Sequence, residues 1–239
     1  MRRAVAVGAL AALLAAGAPG LTGVGAHSPG ASRPDEFIQG AFTPAFVPPE
    51  PGTYELPAIG RVASFVLRDT AGRAVDTGAL MAGKIAVVSF IYTACPDRLG
   101  CPLASFTLRD LQTRLRETGL DRDTVLVSIS FDPERDRPAQ LAKYARIYDA
   151  DPALWRFLTA PSGRMLDAVL ASYGQDRTPE RDERGRPTGR IRHVLKVFLV
   201  DRDGYVRNVY SAGFLMPTLV VNDIRTVLGR TVLGRGLAR

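Results

Sequence analysis

The chain has 239 residues, 46% of them hydrophobic and 23% charged, which is enough apolar material for one core and too little bias for a disordered or fibrous chain. Lysine plus arginine outnumber aspartate plus glutamate by 31 to 24, yet Lys84, Lys143 and Lys196 are the only lysines and the arginines alternate with acids, as in "DRTPERDERGRPTGRIR". Such interleaving makes a solvated face rather than a phosphate-binding stripe, and it argues against nucleic acid as a partner.

Arg2 and Arg3 precede an apolar run from Ala4 to Ala16, and Val24 and Ala26 supply small residues for a cleavage site. Residues 1–26 therefore read as a secretory signal, which makes the mature protein extracytoplasmic, and periplasmic if the source is a bacterium with two membranes. Pro19 and the glycines from Gly20 to Gly25 argue against a stable membrane helix, so membrane association is expected only if this segment stays uncleaved. Residues 27–53 are rich in Pro and Gly and predict an extended leader arm, draped on the domain that follows.

Regular structure is expected over 54–228. "SFVLRD" and "RAVDT" read as short strands around the turn "DTAGR". "KIAVVSFIYT" (84–93) is a continuous β-branched run suited to a strand covered on both faces. After the cysteine loop, Leu103, Phe106, Leu108, Leu111 and Leu115 recur near helical spacing, and Gly119 is a natural stop. "DTVLVSISFD" (123–132) is a second buried strand, and "DPERDRPAQLAKYARIYDA" runs into a helix. "LWRFLTA" is a short strand, and "SGRMLDAVLASYG" a helix capped by Ser162 and closed by Gly174. A polar insertion covers 175–190. Next, "HVLKVFLVDRDGYVRNVYS" predicts a hairpin across a D-G turn, then a helix from about Met216 to Leu228 and a frayed tail, 229–239, containing the second "TVLGR". The order implies an α/β sandwich, with a central sheet flanked by helices on both faces.

Both cysteines lie in "FIYTACPDRLGCPLASF" (90–106), each followed by proline and separated by five residues. Two cysteines in an exported chain can be a structural disulfide, a redox pair or metal ligands. Pro102 suits the first turn of a helix, which places Cys101 at or beside the N-cap. There the helix N–H groups and macrodipole favour a thiolate, so a lowered pKa is expected at Cys101. Cys95 falls near the C-terminal end of a central strand, where α/β folds place their sites, and Gly100 lets the backbone fold back. Two thiolates and one imidazole make a soft site suited to Cu(I), and the imidazole also accommodates Cu(II). Only His27 and His193 are available. A loop entering the strand after His193 is expected beside the cysteine loop. His27 would become the N-terminal residue after cleavage at Ala26; its amine and imidazole could chelate Cu(II), but polar residues commonly follow a cleavage site and that plainer reading is preferred. Asp97 reads as a turn cap, Asp132 as a helix cap ahead of Pro133, and Trp155 as core.

"IGRVASFVLRDTAGRAVD", "GKIAVVSFIYTACPD…CPLA", "VLVSISFDPERDRPAQLAKYA", "WRFLTA" and "RHVLKVFLVDRDGYV" together resemble the SCO/SenC copper-chaperone family, a branch of the thioredoxin-like superfamily, over about residues 58–212. The resemblance implies a thioredoxin-like sandwich with a mixed sheet and an added hairpin. It also implies copper bound by Cys95, Cys101 and His193, and a partner that is the copper-accepting subunit of cytochrome c oxidase or another copper protein. The family's usual spacing is C-x-x-x-C, and this chain departs from it with C-x-x-x-x-x-C. A thiol–disulfide oxidoreductase acting on a copper protein's cysteines is the alternative, with Cys95 and Cys101 as the redox pair. Dithiol enzymes usually carry C-x-x-C, and peroxidases a T-x-x-C context that Thr93-Ala94-Cys95 misses by one residue. A disulfide that merely staples the loop is the third reading.

Overall fold

The computed structural model describes residues 46–236, with side chains as far as residue 229. The signal expected at 1–26, His27 and the first part of the arm lie outside the described residues.

Among the described residues there are ten strands: β1 (Gly60–Arg61), β2 (Val66–Asp69), β3 (Ala74–Asp76), β4 (Ile85–Ile91), β5 (Thr124–Ser130), β6 (Trp155–Thr159), β7 (Thr178–Arg181), β8 (Pro187–Arg192), β9 (Val197–Val200) and β10 (Tyr205–Tyr210). The helices are α1 (Thr77–Met81), α2 (Cys101–Glu117), α3 (Pro138–Ile147), α4 (Gly163–Tyr173) and α5 (Pro217–Gly236). Eight strands form one mixed sheet in the order β1-β10-β9-β4-β5-β6-β2-β3. Strands β4, β5 and β6 run parallel, and their neighbours on either side, β9 and β2, run antiparallel to them.

Every residue of β4 and of β5 is buried. Because side chains alternate between faces, both faces of the sheet centre are covered, as the unbroken β-branched runs require. Helix α2 lays Leu103, Phe106, Leu108, Leu111 and Leu115 into the core. It ends at Thr118, followed by Gly119 at a φ of 69°, the left-handed conformation that stops a helix most readily. Ser162 caps α4 by accepting from the Met165 N–H at 3.2 Å, and Gly174 closes it at a φ of 58°. Trp155 is core, and its indole N–H donates to Ser128 Oγ at 3.0 Å.

From Phe46 to Tyr54 the chain lies against the domain. Phe46 packs on Phe214, the Gly52 N–H donates to Thr226 Oγ1, and Asn222 donates to the Pro49 carbonyl. Tyr54, Tyr210 and Asn208 all donate to the buried Asp223 of α5.

Four features differ from the sequence expectations. The polar insertion read at 175–190 carries strands: β7 and β8 pair into a separate two-stranded sheet, which their polar, Pro-punctuated sequence disguises. The strand expected to follow directly on His193 starts only at Val197, so His193 follows β8 in a short linker. Asp132 caps a turn through the Arg135 N–H, and α3 begins later, at Pro138. Finally, α5 continues to Gly236 through the segment expected to fray, since "TVLGRTVLGR" carries no proline to stop it.

Candidate metal centre

The end of the sheet where β4 finishes gathers three loops. Strand β9 runs antiparallel to β4 with Val197 opposite Ser89, so the linker entering β9 arrives beside the exit of β4. That juxtaposition brings His193 to the cysteine loop, 92 positions away in sequence from Cys101.

Cys101 is the first residue of α2, with Gly100 as N-cap and Pro102 in the first turn. Its side chain is fully buried and its sulfur accepts from the Tyr92 N–H at 3.4 Å. His193 Nε2 lies 3.6 Å from Cys101 Sγ, and His193 Nδ1 lies 3.0 Å from the Ile191 carbonyl oxygen. A carbonyl only accepts, so Nδ1 carries the proton and Nε2 presents its lone pair to the sulfur. Tyr92 meets the imidazole edge to face at 5.6 Å, and Phe131 lies 4.5 Å from it on another side. Gln175 and Lys196 pin the linker by donating to the Val194 and Gly174 carbonyls.

Cys95 is half-buried in the loop ahead, with its N–H donating to the Tyr92 carbonyl and its sulfur 3.7 Å from the Asp97 carbonyl oxygen. Neither cysteine is in a disulfide. The expectation of a thiolate at Cys101 is overturned, and the roles are exchanged. Hydrogen bonding from the Cys101 side chain, together with the N–H groups of Cys101 and Asp97, lowers the Cys95 pKa to about 6 against the cost of its burial. Complete burial pushes the Cys101 thiol up. The helix N-terminus does favour a thiolate, but it serves the cysteine that stands in front of it.

Asp97 Oδ1 accepts from the Leu99 N–H at 2.9 Å, the turn-capping role read from sequence. Asp132 stays outside the cluster, paired with Arg135. Sequence reasoning missed Tyr92, Phe131 and Asp136. Asp136 accepts from Thr93 and Ser130 beneath the loop. Only the "DPERD" run hinted at it.

Two sulfurs and an imidazole nitrogen suit a soft ion such as Cu(I). Nitrogen and sulfur bound to one ion at about 2.0–2.3 Å stand roughly 3.5 Å apart, and the separation of His193 Nε2 from Cys101 Sγ already matches this. Among the described residues no three Cys, His, Asp or Glu side chains stand ready-assembled around one point. The Cys95 sulfur, hydrogen-bonded by the Cys101 side chain and 3.7 Å from the Asp97 carbonyl oxygen, is the donor left to converge on the same point.

The molecule is thus a thioredoxin-like α/β domain with a cysteine pair and a histidine at the end of its central strands. The SCO1/SenC family profile matches residues 57–229, and the chain belongs to that family. The SCO1 protein homolog of Bacillus subtilis (strain 168) is 29% identical over 168 residues, covering 69% of this chain and 81% of the relative. The structure of Bradyrhizobium japonicum ScoI with copper bound is 28% identical, with a TM-score of 0.57 over 70% of this chain and 99% of its own. BsSco, a member of the Sco family of cytochrome c oxidase assembly proteins in which a disulfide switch was identified, is 25% identical, with a TM-score of 0.58 over 73% of this chain and 98% of its own.

Proposed function

We propose that this chain is an exported copper-binding metallochaperone or assembly factor, which takes copper as cargo through Cys95, Cys101 and His193 and passes it to a copper-accepting protein. The observation that carries this reading is His193 itself. A histidine with Nδ1 fixed on the Ile191 carbonyl and Nε2 aimed at Cys101 Sγ is oriented as a metal ligand would be. Copper in the related Bradyrhizobium structure and the assembly role named for BsSco support copper as the cargo and a cytochrome c oxidase subunit as the receiver. The domain would lie at 54–228 behind a cleaved signal and an arm, in the periplasm or its equivalent. N-terminal sequencing of the exported protein tests that, with residue 27 expected first.

The decisive measurement is Cu(I) competition between the reduced full chain and a chromophoric chelator. One copper per chain is expected. His193→Ala, Cys95→Ser and Cys101→Ser each lose at least a hundredfold in affinity. A wild-type chain that never competes with the chelator sinks the reading.

The exposure difference between the cysteines favours a second activity, thiol–disulfide exchange on the receiver's cysteines. The Cys95 sulfur, reachable from solvent, attacks the partner's disulfide, forming a mixed disulfide and releasing one partner thiolate. Cys101 then displaces the second partner thiolate. Two electrons and two protons pass to the partner's cysteines, and this chain ends with a Cys95–Cys101 disulfide. His193→Ala separates the two activities, since exchange survives it and copper binding does not.

A further inference from the structure

Asp136 is wholly buried, and among the described residues its three side-chain hydrogen bonds all come from neutral donors. Thr93 Oγ1 donates to Oδ1 at 2.6 Å, and the Thr93 N–H and Ser130 Oγ donate to Oδ2 at 3.0 and 2.7 Å. Burying a carboxylate without a cation is costly, and a fold that only had to fill this space would be better served by an apolar side chain.

The three bonds have a definite mechanical result. Ser130 is the last residue of β5, inside the sheet. Thr93 lies two residues beyond the end of β4 and two before Cys95. One carboxylate therefore holds both the main-chain N–H and the hydroxyl of Thr93, which fixes the position and the rotation of that peptide. The turn that starts there, closed by the Cys95 N–H on the Tyr92 carbonyl, decides where the Cys95 sulfur goes. Gln140 of α3 adds a weaker bond to Thr93 Oγ1 at 3.4 Å. Cys101 needs no such device, because α2 and the core immobilise it. Cys95 hangs on a loop with five residues between the cysteines, and a free loop of that length would spread its sulfur over many positions.

We propose that Asp136 is the positioning residue of the cysteine pair: by clamping Thr93 to the end of β5, it sets the approach of the Cys95 sulfur to Cys101. The proposal rests on the reading of these two cysteines as the working pair. The clamp raises the effective concentration of one sulfur at the other, so it strengthens both the Cys95–Cys101 disulfide and any shared metal ion.

The test uses the full chain in four variants. Asp136→Ala removes the clamp. Thr93→Val removes the hydroxyl bond while keeping size and the N–H. Asp136→Asn keeps an amide oxygen able to accept from the Thr93 N–H. Ser89→Ala deletes the buried Ser89–Ser128 bond of 2.8 Å, away from the loop, as a control for stability alone. Each is equilibrated with reduced and oxidised glutathione to read the dithiol–disulfide ratio, titrated with Cu(I) against a chelator, and melted. Asp136→Ala is expected to shift the ratio at least tenfold toward the dithiol, which raises the potential by about 30 mV, and to weaken Cu(I) binding by a similar factor. Thr93→Val shifts both at least threefold in the same direction, and Asp136→Asn recovers most of the loss. Ser89→Ala lowers the melting temperature and moves neither. The proposal is overturned if Thr93→Val and Asp136→Ala both leave the ratio within twofold of wild type, or if Ser89→Ala shifts it equally. Should Asp136→Ala fail to fold, Thr93→Val decides. A wild-type chain without Cu(I) affinity refutes the metal reading, whereas the glutathione ratio judges the clamp independently.

Discussion

The ring of Tyr92 meets the imidazole of His193 edge to face, with centroids 5.6 Å apart, and the same tyrosine reaches both halves of the site. Its N–H donates to Cys101 Sγ, and its hydroxyl accepts from the Ile191 N–H at 3.5 Å, on the strand that leads into His193. Tyr92→Phe keeps the ring and loses the hydroxyl's long bond to the Ile191 N–H and its bond to the Cys95 sulfur. We expect a cost of about 0.5–1 kcal/mol in urea unfolding and a Cu(I) affinity within threefold of wild type. Tyr92→Ala also removes the wall against which the imidazole stands, and the affinity should fall at least tenfold.

The exchanged roles of the cysteines give a pH signature. Alkylation of Cys95 by iodoacetamide should follow a midpoint at about pH 6, while Cys101 stays unmodified until the protein unfolds. Mass spectrometry of the labelled peptides reads both. The sign for stability follows from the lowered value. Unfolded cysteine ionises near about pH 8.5, so the Cys95 contribution is complete above that pH and is lost as pH falls through about 6. Cys95→Ser should flatten that slope. Cys101→Ser should instead cost about 1–2 kcal/mol at every pH, because it places a hydroxyl in the apolar core.

What could be read from sequence divides along physical lines. The strands at 85–91 and 124–130 were legible because burial on both faces demands unbroken β-branched runs, and α2 and α4 because their caps and apolar spacing are local signals. His193 could be placed beside the cysteine loop only through the expected strand order, and its role as a ligand with Cys101 came from the family resemblance. The pairing of β7 with β8 stayed hidden because neither strand shows the period-2 alternation of a half-buried strand. The exchange of thiolate roles was hidden for a different reason. The helix-dipole argument gives a direction, but burial decides which sulfur benefits, and burial is a property of the folded chain.

Asp223 anchors the arm. Tyr54 donates to it from the arm, while Tyr210 and Asn208 donate from β10 at 2.6 and 2.8 Å. Burial and the neighbouring carboxylate raise the Tyr54 hydroxyl well above its ordinary range, so it keeps its proton as a donor into alkaline solution. Tyr54→Phe should cost about 1 kcal/mol. Asp223→Ala strands three donors, two of them in the sheet, and should cost about 3 kcal/mol. Denaturant titrations distinguish the two. Equal costs would show that the arm, rather than the sheet, is what Asp223 holds.

The five-residue gap between the cysteines yields the last prediction. The Gly100 N–H donates to the Asp97 carbonyl at 3.1 Å, and Asp97 Oδ1 accepts from the Leu99 N–H, so Asp97–Gly100 is a closed turn with Arg98 and Leu99 at its exposed tip. The ends of such a turn are less than about 7 Å apart, against about 3.8 Å between adjacent residues, so excising the tip displaces the chain by roughly 3 Å. Cys101 cannot follow, because α2 holds it in the core, and Thr93 cannot follow while Asp136 grips it. The displacement falls on Ala94–Asp97, the stretch of loop that carries Cys95. Deleting Arg98 and Leu99 restores a C-x-x-x-C spacing, and we expect a folded chain within about 1 kcal/mol of wild type and a Cu(I) affinity within tenfold. A loss beyond a hundredfold in the chelator competition would show that the long turn itself shapes the site. Gly100→Ala probes the same turn more gently. A Cβ there would meet the Asp97 carbonyl oxygen and Oδ2 at 3.3 Å each, so Asp97 must give way by a few tenths of an ångström and Cys95 reactivity should change less than threefold.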